Sequence, residues 1–159
     1  MKIVPGLFLL ALAAASVAAQ QPAIEPGNPE ELRGVSTIHV AANSKSARAG
    51  IVREINRRLP QLKIASRPEE AEVWLVYTED RRSFSKADPT SELSGGGSGS
   101  QSFEEHEVVA SGSVFKPFSK DRTRRLLEFS DAVTSVLESR LSRNFARSFI
   151  QAYKHANGI

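Results

Sequence analysis

The sequence has no cysteine in its 159 residues, one tryptophan, one methionine and two tyrosines. Without cysteine there can be no disulfide, no thiolate nucleophile, no thiolate metal ligand and no lipidated N-terminal cysteine. Catalytic signatures are missing too. There is no His-Glu-x-x-His and no Gly-x-Ser-x-Gly elbow. The glycine-rich run at residues 94–100 lacks the Lys-Ser/Thr pair that closes a phosphate loop. The three histidines, His39, His106 and His155, have no partner at metal-ligand spacing, and the acidic group Glu104, Glu105 and Glu107 reads as a solvated face. No cofactor and no metal site is expected.

Long apolar runs are scarce as well, which makes the two that exist informative. The first occupies the N-terminus, where Lys2 precedes an apolar stretch at residues 4–15 and small residues follow at 16–19. This is the pattern of a secretory signal peptide, residues 1–19, with cleavage read after Ala19 or else Ala18. The stretch is too short for a transmembrane helix, and no second span follows. Export, periplasmic or secreted, is the expected address, and the remaining 140 residues suit a single domain. Stability must then come from an apolar core without disulfides.

The second run is Val73-Trp74-Leu75-Val76-Tyr77, apolar on both alternating faces and bounded by Pro68 and Asp80. It predicts an interior strand paired on both sides. Around it the chain reads in order. Residues 20–34, rich in proline, predict a flexible N-terminus. Alternation of Ile38 and Val40 with Thr37 and His39 predicts a half-buried strand over 35–42. Ala47, Ile51, Ile55 and Leu59 recur every four residues, which predicts an amphipathic helix capped near Asn43 or Ser44 and stopped by Pro60. A short strand at 62–65 completes a strand–helix–strand unit whose strands should be parallel. Residues 81–102, holding Asp88-Pro89 and the Gly/Ser run, predict a flexible loop inside one domain, 35–157. A strand over 108–115, with Ala110 and Gly112 leaving a narrow surface, should connect through 116–121 to a return strand over 122–129. On that return strand Leu127 and Phe129 are expected inward and Arg122, Arg124 and Glu128 outward.

The last element is a helix with Leu141, Phe145, Phe149 and Tyr153 on one face and Arg140, Arg143, Arg147 and Lys154 on the other. Carrying it back to Asp131 would put Glu138 among the aromatics, so a break is expected near Glu138, with 131–138 a turn or a short separate helix. The fold class that follows is α+β, a two-layer sandwich of a mixed sheet of about five strands with two long helices on one face.

Charge is unevenly spread. Residues 79–110 hold three basic and seven acidic residues, whereas residues 116–159 hold nine basic and four acidic ones. Arginine presents a planar fork suited to carboxylate and phosphate. The candidate partner-binding residues are therefore Arg122, Arg124, Arg140, Arg143, Arg147 and Lys154. No aromatic residues interleave with the helical arginines, so no nucleic-acid partner is expected.

The segment Glu70-Ala71-Glu72-Val73-Trp74-Leu75-Val76-Tyr77 and the terminal Asn144-Phe145-Ala146-Arg147-Ser148-Phe149-Ile150-Gln151-Ala152-Tyr153-Lys154 resemble a group of small uncharacterised bacterial secreted α/β proteins. In element order alone, the start also resembles the amino-terminal domain of the Tol-Pal β-propeller protein. Neither resemblance implies catalytic residues. The function expected is an exported non-enzymatic binding or interaction module of the bacterial cell envelope, meeting an acidic envelope protein or an anionic polymer. One alternative is a small-ligand binder with a pocket lined by Arg124 and Trp74. The other is a hydrolase whose site is assembled from His39, His106 and nearby carboxylates.

Overall fold

Residues 73–77 head a strand, β4 (Val73–Lys86), that lies inside the sheet as their two apolar faces require. In the computed structural model, which describes residues 23–86, 103–119, 121–134 and 138–159, β4 is flanked by two partners. It pairs in parallel with β2 (Thr37–Ala42) and antiparallel with β5 (Phe103–Ser119). Three more strands, β1 (Ala23–Pro26), β3 (Lys63–Ile64) and β6 (Arg122–Thr134), complete a six-stranded sheet in the order β1-β6-β5-β4-β2-β3. The mixed α+β architecture is the predicted one, with one strand more.

One face of the sheet is dry. Ile38 and Val40 of β2 lie beside Val73 and Leu75 of β4, and Leu75 lies beside Val114 of β5. All five are buried in one cluster with Ile51 and Ile55 of α1 (Lys45–Arg58) and with Leu141, Phe145 and Phe149 of α2 (Glu138–Asn157). The two helices also pack against each other, so they share that face. Ser44 caps α1, its Oγ accepting the Ala47 N–H at 3.3 Å. Gly112 is where sheet and α2 meet most closely: a Cβ there would lie 2.6 Å from the Phe145 ring. That ring stacks on Tyr77 with centroids 5.4 Å apart.

Several expectations need correcting. The proline-rich N-terminal segment, expected to be flexible, is built into the fold over residues 23–34. β1 adds to the edge of β6, and a 3₁₀ turn (Pro29–Leu32) follows with a capping box between Asn28 and Glu31. Leu32 is wholly buried, and Arg33 Nε and Asn157 Nδ2 donate to the carbonyls of Ala156 and Leu32. Proline composition reports on local backbone stiffness, whereas these partners are more than 120 residues away.

The predicted loop over 81–102 begins later, because β4 continues in register with β5 as far as Lys86 opposite Phe103. Its glycine-rich part lies outside the described residues, as does the signal segment 1–19. The connection predicted at 116–121 is mostly strand: β5 runs to Ser119, with register shifts at 114/115 and 117/119 that accommodate Pro117.

The first of those shifts turns the phase of β6. Leu126 becomes a buried residue there, while Leu127 and Phe129 pack half-buried against the core. Arg124 consequently points to the helix side and not outward. Residues 131–134 continue β6 with the two-residue period of a strand, and α2 starts at Glu138, where the break was expected. No helix among the described residues is long and apolar enough to cross a membrane.

Candidate functional site: an arginine seam between the helices

The polar faces of α1 and α2 meet along a seam, and both are rich in arginine. Arg53, Arg57 and Arg58 come from α1, and Arg140, Arg143 and Arg147 from α2. All six are exposed. At its centre lies one carboxylate, Glu54, only 6% exposed. Its two oxygens accept from Arg57 Nη2 at 3.0 and 2.9 Å, and it also pairs with Arg58 Nε at 2.8 Å and Arg147 Nε at 3.4 Å. Burial disfavours the charged form of Glu54. The hydrogen bonds from Arg57 and Arg147 and the charges of Arg57 and Arg58 outweigh it and hold the carboxyl below its ordinary value. One acid thus gathers three guanidiniums and ties the helices to each other. Among the described residues, Arg53 and Arg140 make no hydrogen bond or ion pair. Arg143 is held through its own turn, Nε donating to the Ser139 carbonyl at 3.0 Å.

Two clefts open along this seam and meet at Arg143. The larger, about 530 Å³, lies between the N-terminal halves of both helices and β4, with Ser46, Gly50, Arg53, Glu79 and Ser142 among its walls. The smaller, about 440 Å³, is lined by Arg140, Arg143, Asn144 and Arg147. Neither includes Trp74 or Arg124, so they are not the pocket expected from those two residues.

The six residues singled out from sequence fall into separate places. Arg140, Arg143 and Arg147 stand together on the seam. Lys154, exposed, lies two turns past Arg147 and lines neither cleft. Arg122 and Arg124 sit at the other end of the helix layer, near the 3₁₀ turn that receives the C-terminus of α2. Arg122 pairs with Glu25 at 3.2 Å and Arg124 with Glu31 at 3.1 Å. Both guanidiniums lie over the Phe118 ring, at 5.9 and 4.4 Å from its centroid. Burial opposes the charge of Glu31, but the Asn28 N–H, Arg124 and Lys116 prevail and keep its carboxyl low.

Sequence reading missed Arg53, Arg57 and Arg58. Their spacing around Glu54 at i−1, i+3 and i+4 was visible as a helical charge pattern. That this pattern would face the arginines of α2, some 90 residues on, was not.

The histidines do not converge. His39 Nδ1 lies 3.1 Å from the Ala65 carbonyl, and His155 pairs with Glu30 at 3.3 Å. His39 is opposite Trp74 and His106 opposite Ser83, nine positions along β4 and roughly 30 Å at strand rise. That spacing is far beyond the reach of a shared carboxylate. Among the described residues no three His, Asp or Glu side chains gather as a metal site would need.

No family model matches this chain, and no curated protein does. Among solved structures it is similar to the hypothetical protein CT253 from Chlamydia trachomatis, with a TM-score of 0.37 and 8% identity over 79% of this chain and 99% of that one. It is also similar to a minor lipoprotein from Acinetobacter baumannii, with a TM-score of 0.32 and 7% identity over 77% of this chain and 93% of the other.

Proposed function

We propose that the protein is an exported, non-enzymatic binding module of the bacterial cell envelope that meets an anionic partner over the α1–α2 seam. Export rests on the N-terminal sequence pattern. The binding surface rests on one observation: six arginines stand on one seam with a single buried carboxylate among them. Packing alone does not require this, since the cores of both helices are filled by aliphatic and aromatic side chains. Arginine forks engage carboxylate and phosphate oxygens in pairs, so an acidic envelope protein or an anionic polymer suits the seam.

The test is a cross-linking pull-down from the envelope fraction with wild-type protein and with Arg140, Arg143 and Arg147 changed to Gln. A defined anionic partner recovered by wild type and lost by the variant is the expected result. Equal recovery by both would remove the seam from the binding surface.

A further inference from the structure

We infer that the free edge of β4 beside the larger cleft is a docking edge for an extended acidic segment of a partner protein, which adds itself to the sheet as a further strand. This rests on the seam reading for the sign of the partner and names how that partner is held. The inference begins where β2 stops. β2 pairs with β4 as far as Ala42 opposite Tyr77, and the chain then leaves the sheet to enter α1. Asn43 finishes the ladder. Its N–H donates to the Tyr77 carbonyl at 3.3 Å, its Nδ2 donates to the Glu79 carbonyl at 2.8 Å, and its Oδ1 accepts the Glu79 N–H at 3.1 Å. β4 itself continues to Lys86, still in register with β5. Over residues 81–86, β4 therefore has a strand on one side and, among the described residues, none on the other.

The direction of main-chain groups alternates along a strand. Tyr77 and Glu79 turn theirs to the β2 side, so Ser83 does the same, and among the described residues it meets no partner there. Arg81 shares the direction but is already engaged and is not counted. An open strand edge is a template for another strand, whose main chain supplies the affinity. The two outermost strands are poorer templates. β3 is two residues long, and β1 is four residues long with Pro26 at its end.

Charge chooses the added strand. Residues 81–86 hold three cations and no acid. A second copy of β4 would set like charges across the new ladder, which is destabilising, whereas an acidic strand would set opposite ones. Lying where β2 would have continued, that strand passes along the larger cleft, whose walls include Ser46, Gly50 and Arg53 of α1 and Arg143 of α2. Successive side chains of a strand stand on opposite faces, so every second acid would stand on the helix side with Arg53 and Arg143. Both arginines are exposed, and they outnumber the one carboxylate of the lining, Glu79. An anionic polymer without peptide groups would use these arginines but leave the Ser83 main chain unpaired, which is why the edge favours a peptide.

The experiment is calorimetric titration of the whole protein at low salt with three probes. They are a blocked peptide of alternating glutamate and valine, the same peptide N-methylated at every residue, and polyphosphate. The methylated copy keeps the charges and loses the main-chain donors. Wild-type protein should bind the plain peptide at least about tenfold more tightly than the methylated one. Ser83→Pro takes an N–H from the free edge and none from the β5 ladder, and should weaken the plain peptide by roughly tenfold or more. Ser83→Ala keeps that N–H and should stay within about twofold of wild type. Thermal melts separate lost binding from lost folding, and if Ser83→Pro melts early the methylated peptide still decides.

Equal binding of the two peptides would overturn strand addition, as would a folded Ser83→Pro variant that binds like wild type. Binding of polyphosphate in place of the peptide would also overturn it and assign the seam to a polymer. Self-association that Ser83→Pro abolishes would overturn it in favour of a second copy. In the envelope pull-down, a partner lost with the seam arginines changed but kept by Ser83→Pro would remove this inference and leave the seam reading standing. A partner lost only with Ser83→Pro would support the edge and refute the seam.

Discussion

At the scale of single residues, two side chains decide more than their size suggests. Gly112 lets the Phe145 ring lie on the sheet, and Gly112→Ala should destabilise the protein by about 1–3 kcal/mol through overpacking. Urea denaturation measures this, and an unchanged midpoint would show that the ring can move aside. Glu54 is the other. With Glu72, whose carboxylate accepts from the backbone N–H groups of Ser36 and Thr37, it titrates below the ordinary value of 4.5. A carboxyl with a lowered folded pKa binds fewer protons when folded than when unfolded. Its contribution is therefore complete above about 4.5 and is lost as pH falls through the lower folded value. Chemical denaturation from pH 7 down to 3 should show stability falling across that window, and Glu54→Gln should flatten part of the fall. A Glu54→Gln profile parallel to wild type would mean that the buried carboxylate is not linked to folding.

At the scale of elements, what was legible in the sequence is what local periodicity encodes. Ile38 and Val40, the four-residue repeat of Ala47, Ile51, Ile55 and Leu59, and the aromatic face of α2 all lie where alternation or helical spacing put them. The misreadings occurred where a distant partner overrides local composition. Arg81 and Arg82 look like the start of a polar loop, yet they stay in the ladder because β5 supplies Val108 and Glu107 opposite them. Asn28 and Pro29 look like a loose terminus, yet they start a capped turn that seats Leu32 under the end of α2. Leu32→Ala should accordingly cost about 2–5 kcal/mol, like other buried leucines, which a thermal or urea melt will read. A cost near zero would restore the sequence-based view of a dispensable N-terminal segment. The seam follows the same rule. The arginines of α2 could be found on a helical wheel, while their neighbours on α1 and the acid between them required the packing of two helices.

At the scale of the whole molecule, positive charge lies on the helix layer and the half-exposed sheet face carries Trp74, Phe115 and small polar residues. If the seam receives the partner, capture should weaken steeply between 0.05 and 0.5 M salt, because screening shortens to a few ångströms over about that range. Salt-independent capture would point to the sheet face instead. The two ends of the described chain also meet: β1 lies against β6, and the turn carrying Leu32 is fastened to the last residues of α2. Contacts spanning so much of the sequence close late, since loop entropy must be overcome before they yield stability. During synthesis the Leu32 turn waits for the end of α2. A chain cut short within α2 therefore loses the anchor of the Leu32 turn as well as the helix end itself.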